Sequence, residues 1–243
     1  MKTLVVLAGG LGTRLRSLVD DVPKPMAPVL GRPFVSWLVD AWLSLDFSFD
    51  QLVFSVGYKS EVIQDYFGIE YKGIPVKYSS EETPLGTGGA LIKACRLIAD
   101  EVCVVNGDTW FLPPLDGGWP VAADGIEMCL LLKYSVDVSR YGAITIGSDG
   151  LITSIKSEQN GSGYLNGGVY FINREAVNVI GEYSIKSTPL SLEHDLFPSW
   201  VDDQQFGLKG VLMNQPFLDI GIPVDYLKAD SFIKANFETL QQV

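Results

Sequence analysis

The stretch Leu7–Ser17, LAGGLGTRLRS, sets Gly9, Gly10 and Gly12 beside Thr13, Arg14 and Arg16. Glycines let a backbone approach a ligand closely, successive N–H groups cradle an anion, and an arginine fork grips phosphate through paired hydrogen bonds. The loop fits neither common glycine signature: Leu15 stands where G-x-G-x-x-G needs its third glycine, and no Lys-Ser/Thr follows to make a P-loop. Phosphate-holding chemistry survives without either motif. Downstream, Lys24 lies in PKPMAP, between Pro23 and Pro25. Each proline fixes φ, so the lysine stem is expected to leave a stiff, non-helical backbone. Taken alone, these residues also describe a glycine-rich turn with solvated arginines and a proline-rich loop that contains a lysine.

The elements around them decide whether such groups meet. Lys2–Leu7 is a short, β-branched apolar run that ends in glycines, and it reads as a buried strand. Phe34, Leu38, Ala41, Trp42 and Leu45 recur at helical spacing after Pro33. Gln51–Val56 reads as a strand, Glu61–Phe67 as a helix, Ile74–Ser79 as a strand, Gly88–Ile98 as a helix and Glu101–Asp108 as a buried strand with a polar end. Such alternation means βαβ units: a mostly parallel sheet with helices on both faces. Ligands of such sheets sit beyond the carboxyl ends of the strands, where both the glycine loop and Asn106–Asp108 fall.

The second half changes character. Glu127–Tyr134, Ala143–Ile146 and Leu151–Ile155 read as strands, the last two joined by the turn GSDG. Tyr164–Asn173 is a strand interrupted by two glycines. Thr188–Pro189 is expected to cap a short helix running to Phe197, a strand to end at Asp219, and Pro223 to open a last helix. No linker, repeat or low-complexity tract interrupts the chain. The expected fold is α/β, a single Rossmann-like domain over residues 1–243. Its nucleotide-binding half covers roughly residues 1–110, and a smaller, antiparallel, sugar-binding part with a C-terminal helix covers roughly 111–243.

With 47% hydrophobic and 19% charged residues, the chain reads as globular. A net charge of −11 argues against a nucleic-acid partner, which needs a basic face, but not against a small anion held by a local cluster. Cys95, Cys103 and Cys129 include no CxxC and lie in apolar stretches, as buried free thiols in a reducing compartment would. No signal peptide and no membrane-spanning run is evident. The expectation is a cytoplasmic protein with no membrane partner.

Five segments in order, LAGGLGTRLRS, PKPMAP, PLGTGGA, VNGDTWF and FLDIGIP, resemble the sugar-1-phosphate nucleotidyltransferases over nearly the whole chain. Within that family KPMAPVLGRPF, SVGYKSEVI, LNGGVYF and SLEHDLFP look most like D-glycero-D-manno-heptose 1-phosphate guanylyltransferases. The resemblance implies transfer of a guanylyl group from GTP to heptose 1-phosphate, giving GDP-heptose and pyrophosphate. Mannose-1-phosphate guanylyltransferase and uridylyltransferase activities stay as alternatives, and so does a non-catalytic nucleotide-sugar sensor. The retention of Arg14, Lys24, Asp108 and Asp219 together weighs against the sensor. A homo-oligomer is compatible with this reading.

By matching position, Leu7 and Ala8 lead into a triphosphate cradle of Gly9, Gly10, Gly12 and Thr13. Arg14 is implied to hold the β- and γ-phosphates, with Arg16 a weaker candidate, and Lys24 to offset charge on the α-phosphate and the sugar phosphate. Asp108 and Asp219 correspond to the family's metal ligands, and two carboxylates plus phosphate oxygens suit Mg²⁺. Guanine offers two adjacent donors, which one carboxylate, Glu81 or Glu82, can accept. Gly86, Thr87, Gly88 and Gly89 are read as letting the base approach the backbone. Asn166, Gly167, Gly168 and Glu193 are placed on the sugar. His194 needs no role as a base, because the attacking phosphate is already ionised, and Trp110 reads as core rather than as a pocket wall. One departure concerns the Glu-Lys pair that many relatives carry before this strand. Ser157 and Glu158 stand there, so the sugar-phosphate contact falls to Lys156, two residues earlier on the same strand face, or to Lys133.

Overall fold

The computed structural model describes all residues except 11, 16–17, 115–118, 121–124, 141, 157–159, 186–187 and 241–243. Strand β1 (Lys2–Leu7) is the apolar run that opens the chain, and it lies inside a ten-stranded sheet. Its alternation divides two cores. Leu4 and Val6 join a cluster with Trp42, Phe54 and Ile233 on one face, and Val5 joins Leu91, Tyr170 and Trp200 on the other. A strand buried on both faces has no polar side to show, hence its continuous hydrophobicity.

After β1, a single 3₁₀ turn (Lys24–Met26) and a short hairpin of β2 (Pro28–Val29) and β3 (Arg32–Pro33) lead into α1 (Phe34–Leu43). The non-helical backbone expected at Lys24 is thus corrected. Pro25 is the second residue of the turn, a position where its missing N–H loses no bond. Next come β4 (Gln51–Val56), α2 (Ser60–Phe67), β5 (Glu70–Tyr71), β6 (Ile74–Ser80), α3 (Gly86–Cys95), β7 (Glu101–Asn106) and β8 (Thr109–Phe111). Strands β7, β1, β4 and β6 are neighbours in that order and all parallel.

The sheet continues into the second half with mixed pairing. β9 (Met128–Ser135), β10 (Ala143–Ile146), β11 (Ile152–Lys156) and β12 (Gly163–Ile172) precede α4 (Arg174–Gly181), α5 (Phe197–Asp202), β13 (Leu208–Leu212), β14 (Phe217–Asp219), α6 (Pro223–Tyr226) and α7 (Ala229–Leu240). β12 runs antiparallel to β7, β9 and β10, which extends the parallel half without a break, while β13 pairs parallel with β9.

Two other expectations change. The helix expected after Thr188–Pro189 starts instead as a π turn at Leu192–Leu196, because the Ser191 hydroxyl accepts from the N–H groups of Glu193 and His194. It continues as α5. Pro223 does open a helix, but α6 is a single turn and α7 is a separate helix.

Candidate active site

Strand register builds the site. Leu7 pairs with Asn106, and the N–H of Gly107 donates to the Leu7 carbonyl at 2.9 Å, so Ala8–Gly10 and Asn106–Asp108 leave the sheet side by side. β14 pairs with β8, with Asp219 opposite Thr109, and the N–H of Ile220 donates to the Asp108 carbonyl at 3.0 Å. Two aspartates 111 positions apart in sequence are therefore brought to one spot by a two-strand ribbon. Gly12 brings the glycine loop onto the lysine: its φ is +59°, and a Cβ there would lie 2.9 Å from Lys24 Cβ. Lys24 forms an ion pair with Asp108.

Two clefts meet at that ion pair. The larger, about 420 Å³, is lined by Leu7, Ala8, Gly9, Gly10, Gly12, Glu81, Gly86 and Thr87, with Lys24, Asn106 and Asp108 at its inner end. The smaller, about 230 Å³, shares Lys24, Asn106 and Asp108 and adds Arg14, Arg140, Asn166, Gly168, Glu193, His194 and Asp219. The larger has the size of a nucleotide pocket, and the junction holds the charged groups.

The two aspartates differ in their surroundings. Burial pushes the Asp108 carboxyl up, but the Lys24 ammonium and the Thr109 hydroxyl outweigh it and hold it below the usual range. Burial and the nearby Asp108 charge push Asp219 up, although Lys24, Arg140 and the Gly221 N–H, which donates at 2.7 Å, oppose this. Two carboxylates in one cleft, the charge of one raising the pKa of the other, are a donor set for a hard divalent cation, with phosphate oxygens and water completing its shell. Among the described residues no cluster of three or more acidic, His or Cys side chains could hold a metal ion by itself.

Other sequence-predicted residues find different surroundings. Glu81, not the exposed Glu82, reaches the larger cleft. Its carboxylate accepts from the Leu85 N–H at 2.8 Å and the Ser55 hydroxyl at 3.3 Å, and burial pushes its pKa up. Thr13 is exposed and lies outside both linings. Gly88 and Gly89 pack within the fold: Cβ atoms there would meet the Leu190 carbonyl at 3.0 Å and Leu85 Cβ at 2.8 Å. Asn166 lines the smaller cleft, where its amide donates to Tyr170 Oη and accepts from the Gly168 N–H, both at 2.9 Å. Gly167 is filled against Phe111, whose ring a Cβ would meet at 2.2 Å. Glu193 accepts from Thr87 Oγ1 at 2.9 Å, Ser191 Oγ at 3.0 Å and Tyr170 Oη at 3.2 Å.

Lys156 is exposed beside Asn166, Glu193 and His194, whereas Lys133 donates to the Gln215 carbonyl at 2.8 Å, outside both clefts. Trp110 is core, packed edge-on against Phe232. Arg16, Ser157 and Glu158 lie outside the described residues. Two groups escaped sequence reasoning. Asn106 lines both clefts, and its Oδ1 is buried without a hydrogen-bond partner among the described residues; its signal was the NGD tripeptide itself. Arg140 pairs with Asp219 and Asp225, and nothing local in its loop separates it from a solvated arginine.

The nucleotidyl transferase family matches residues 3–236, so the chain belongs to that family. It is 38% identical over 227 residues to the D-glycero-alpha-D-manno-heptose 1-phosphate guanylyltransferase of Aneurinibacillus thermoaerophilus, covering 93% of this chain and 95% of that one. Against the enzyme of that name from Campylobacter jejuni the identity is 34%, covering 91% and 96%. The crystal structure of HddC from Yersinia pseudotuberculosis superposes with a TM-score of 0.78 at 32% identity, covering 95% of this chain and 99% of that one. HddC has also been solved in complex with GMP-PN.

Proposed function

We propose that the chain transfers a guanylyl group from GTP to D-glycero-D-manno-heptose 1-phosphate, giving GDP-heptose and pyrophosphate. The observation that carries this reading is the meeting of a nucleotide-sized cleft and a smaller polar cleft at Lys24, Asn106 and Asp108, with Asp219 beside them on the smaller cleft. A phosphate oxygen of the sugar 1-phosphate attacks the α-phosphorus of GTP. The new P–O bond forms as the bond to the α,β-bridging oxygen breaks, and pyrophosphate leaves with that electron pair. No covalent nucleophile is needed, so positioning and charge neutralisation dominate.

Each group then has a task. Backbone N–H groups of the glycine loop receive the triphosphate, and Arg14 holds the departing phosphates. Lys24 neutralises the α-phosphate and the approaching sugar phosphate. Mg²⁺ held by Asp108 and Asp219 would offset phosphate charge at the reacting centre. Glu81 accepts the paired N–H donors of guanine, and the bond from Leu85 keeps its carboxylate in place. Asn166 and Glu193 face the sugar across the smaller cleft. No helix among the described residues is long and apolar enough to cross a membrane. A nucleoside triphosphate substrate and three buried free thiols fit a cytoplasmic setting.

The test is pyrophosphate release with Mg²⁺, four nucleoside triphosphates and a panel of sugar 1-phosphates. Turnover is expected with GTP and the heptose phosphate. Turnover with UTP but not GTP removes the role of Glu81. A preference for mannose 1-phosphate keeps the chemistry and changes the sugar. No turnover with any pair removes the enzyme reading.

A further inference from the structure

We propose that Arg140 grips the phosphate of the sugar 1-phosphate, the task left open where this chain lacks the Glu-Lys pair; this rests on the nucleotidyltransferase reading above. Arg140 stands in the loop between β9 and β10 and lines the smaller cleft together with Lys24, Asp108 and Asp219. Its Nη2 lies 3.3 Å from Asp219 Oδ2, so its guanidinium reaches the place where the attacking phosphate must meet the α-phosphorus.

The other cations are worse placed for that task. Lys24, paired with Asp108 at the junction of the two clefts, is shared between the α-phosphate and the approaching sugar phosphate and so is not dedicated to either. Arg14 shares the cleft but hangs from the loop assigned to the triphosphate. Lys133 is spent on the Gln215 carbonyl. Lys156 lines a small pocket with Ile155, Asn166 and Phe197 that includes neither Asp108 nor Asp219. It sits at the end suited to sugar hydroxyls, not at the reacting end.

The arginine is also held in advance. Its Nη1 donates to Asp225 Oδ2 at 2.7 Å, and Lys228 bonds the other oxygen of Asp225 at 2.8 Å. One sequence run, LDIGIPVDY, therefore carries both Asp219 and the carboxylate that orients Arg140. With Nη1 on Asp225 and Nη2 near Asp219, the guanidinium plane is oriented in advance, and a planar guanidinium matches the geometry of phosphate. Stability alone does not explain the arrangement, because a pair whose arginine is 35% exposed contributes little.

The test compares wild type, Arg140→Met and Arg140→Lys with GTP and the heptose 1-phosphate. Arg140→Met is expected to raise KM for the sugar phosphate at least tenfold, with Arg140→Lys recovering part of the loss. Affinity for a non-hydrolysable GTP analogue, measured by calorimetry, should stay within twofold. Inhibition by the unphosphorylated heptose should be equal in wild type and variant, which a general distortion of the cleft would not allow. A sugar-phosphate KM within twofold of wild type overturns the inference. So does a parallel loss of GTP-analogue affinity, because Arg140 would then act by shaping the site. Failure of the underlying reading looks different: the wild type itself turns over no sugar 1-phosphate.

Discussion

Asp108 and Asp219 share a cleft but not an environment, and their substitutions should therefore part company. Asp219 is raised by burial and by Asp108, so the folded chain binds its proton more tightly than the unfolded chain does. Stability tied to that proton is lost as pH rises from the ordinary carboxylate range through the folded pKa. Asp108 has the opposite sign: held low against burial by Lys24, it contributes stability above the ordinary range that is lost as pH falls through its folded pKa. Asp219→Asn should therefore melt no lower than wild type at pH 7 in chelator, whereas Asp108→Asn should melt lower, since it strands the Lys24 ammonium. Both should lose roughly 100-fold or more in kcat, the scale of removing a group that offsets charge in the transition state. Equal melting shifts in thermal scans, or near-normal turnover in either variant, would contradict the assignment. The aspartates were legible because they close strands in NGD and LDIG. Their opposite pKa shifts were not, because those arise from contacts made only in the folded chain.

At the scale of elements, β12 shows where the reading of a motif and its geometry diverge. Sequence reasoning placed Gly167 and Gly168 on the sugar. The register of β12 against β9 shifts between Asn166 and Tyr170, and Gly168 at φ +70° lies in that irregularity. The side-chain Oδ1 of Asn166 accepts from the Gly168 N–H, which sets the amide that lines the smaller cleft. The space beside Gly167 is occupied: a Cβ would lie 2.2 Å from the Phe111 ring and 2.8 Å from the Leu131 carbonyl. Phe111 belongs to β8, three residues long, whose partner β14 is more than a hundred positions away, so no local period announces it. Gly167→Ala should cost roughly 2–3 kcal/mol, the range of an overpacked core, read as a shift of the urea midpoint at unchanged slope. An unshifted midpoint would mean that the ring yields. The π turn at Leu192–Leu196 makes a similar point. Thr188–Pro189 looked like the helix start, but the Ser191 hydroxyl caps it, and only the fold shows that this cap sets Glu193 against Thr87.

Across the whole molecule, the two halves that the sequence pattern separates share one wall. The N–H of Leu190 donates to the Leu85 carbonyl at 2.7 Å, and the N–H of Gly88 returns a bond to the Leu190 carbonyl at 2.8 Å. Gly86, at φ +78°, brings the chains this close, since a Cβ would meet the Leu190 carbonyl at 2.4 Å. Thr87, which lines the larger cleft, then donates to Glu193, which lines the smaller one, and accepts from the Leu192 N–H at 2.9 Å. Glu193 in turn accepts from Tyr170, which also receives the Asn166 amide. A residue that lines the larger cleft thus fixes a carboxylate of the smaller one, which gives the two substrates a physical route for coupling. Removing the hydroxyl leaves Glu193 short of a partner and free to turn, at a cost of about 1 kcal/mol, or roughly fivefold in affinity. Thr87→Val should therefore raise KM for the sugar 1-phosphate about fivefold and leave binding of a GTP analogue alone within twofold. Thr87→Ser, which keeps the donor, should restore the wild-type value. A Thr87→Val enzyme with an unchanged sugar KM and a weakened grip on GTP would confine Thr87 to the nucleotide and leave Glu193 held by Ser191 and Tyr170 alone.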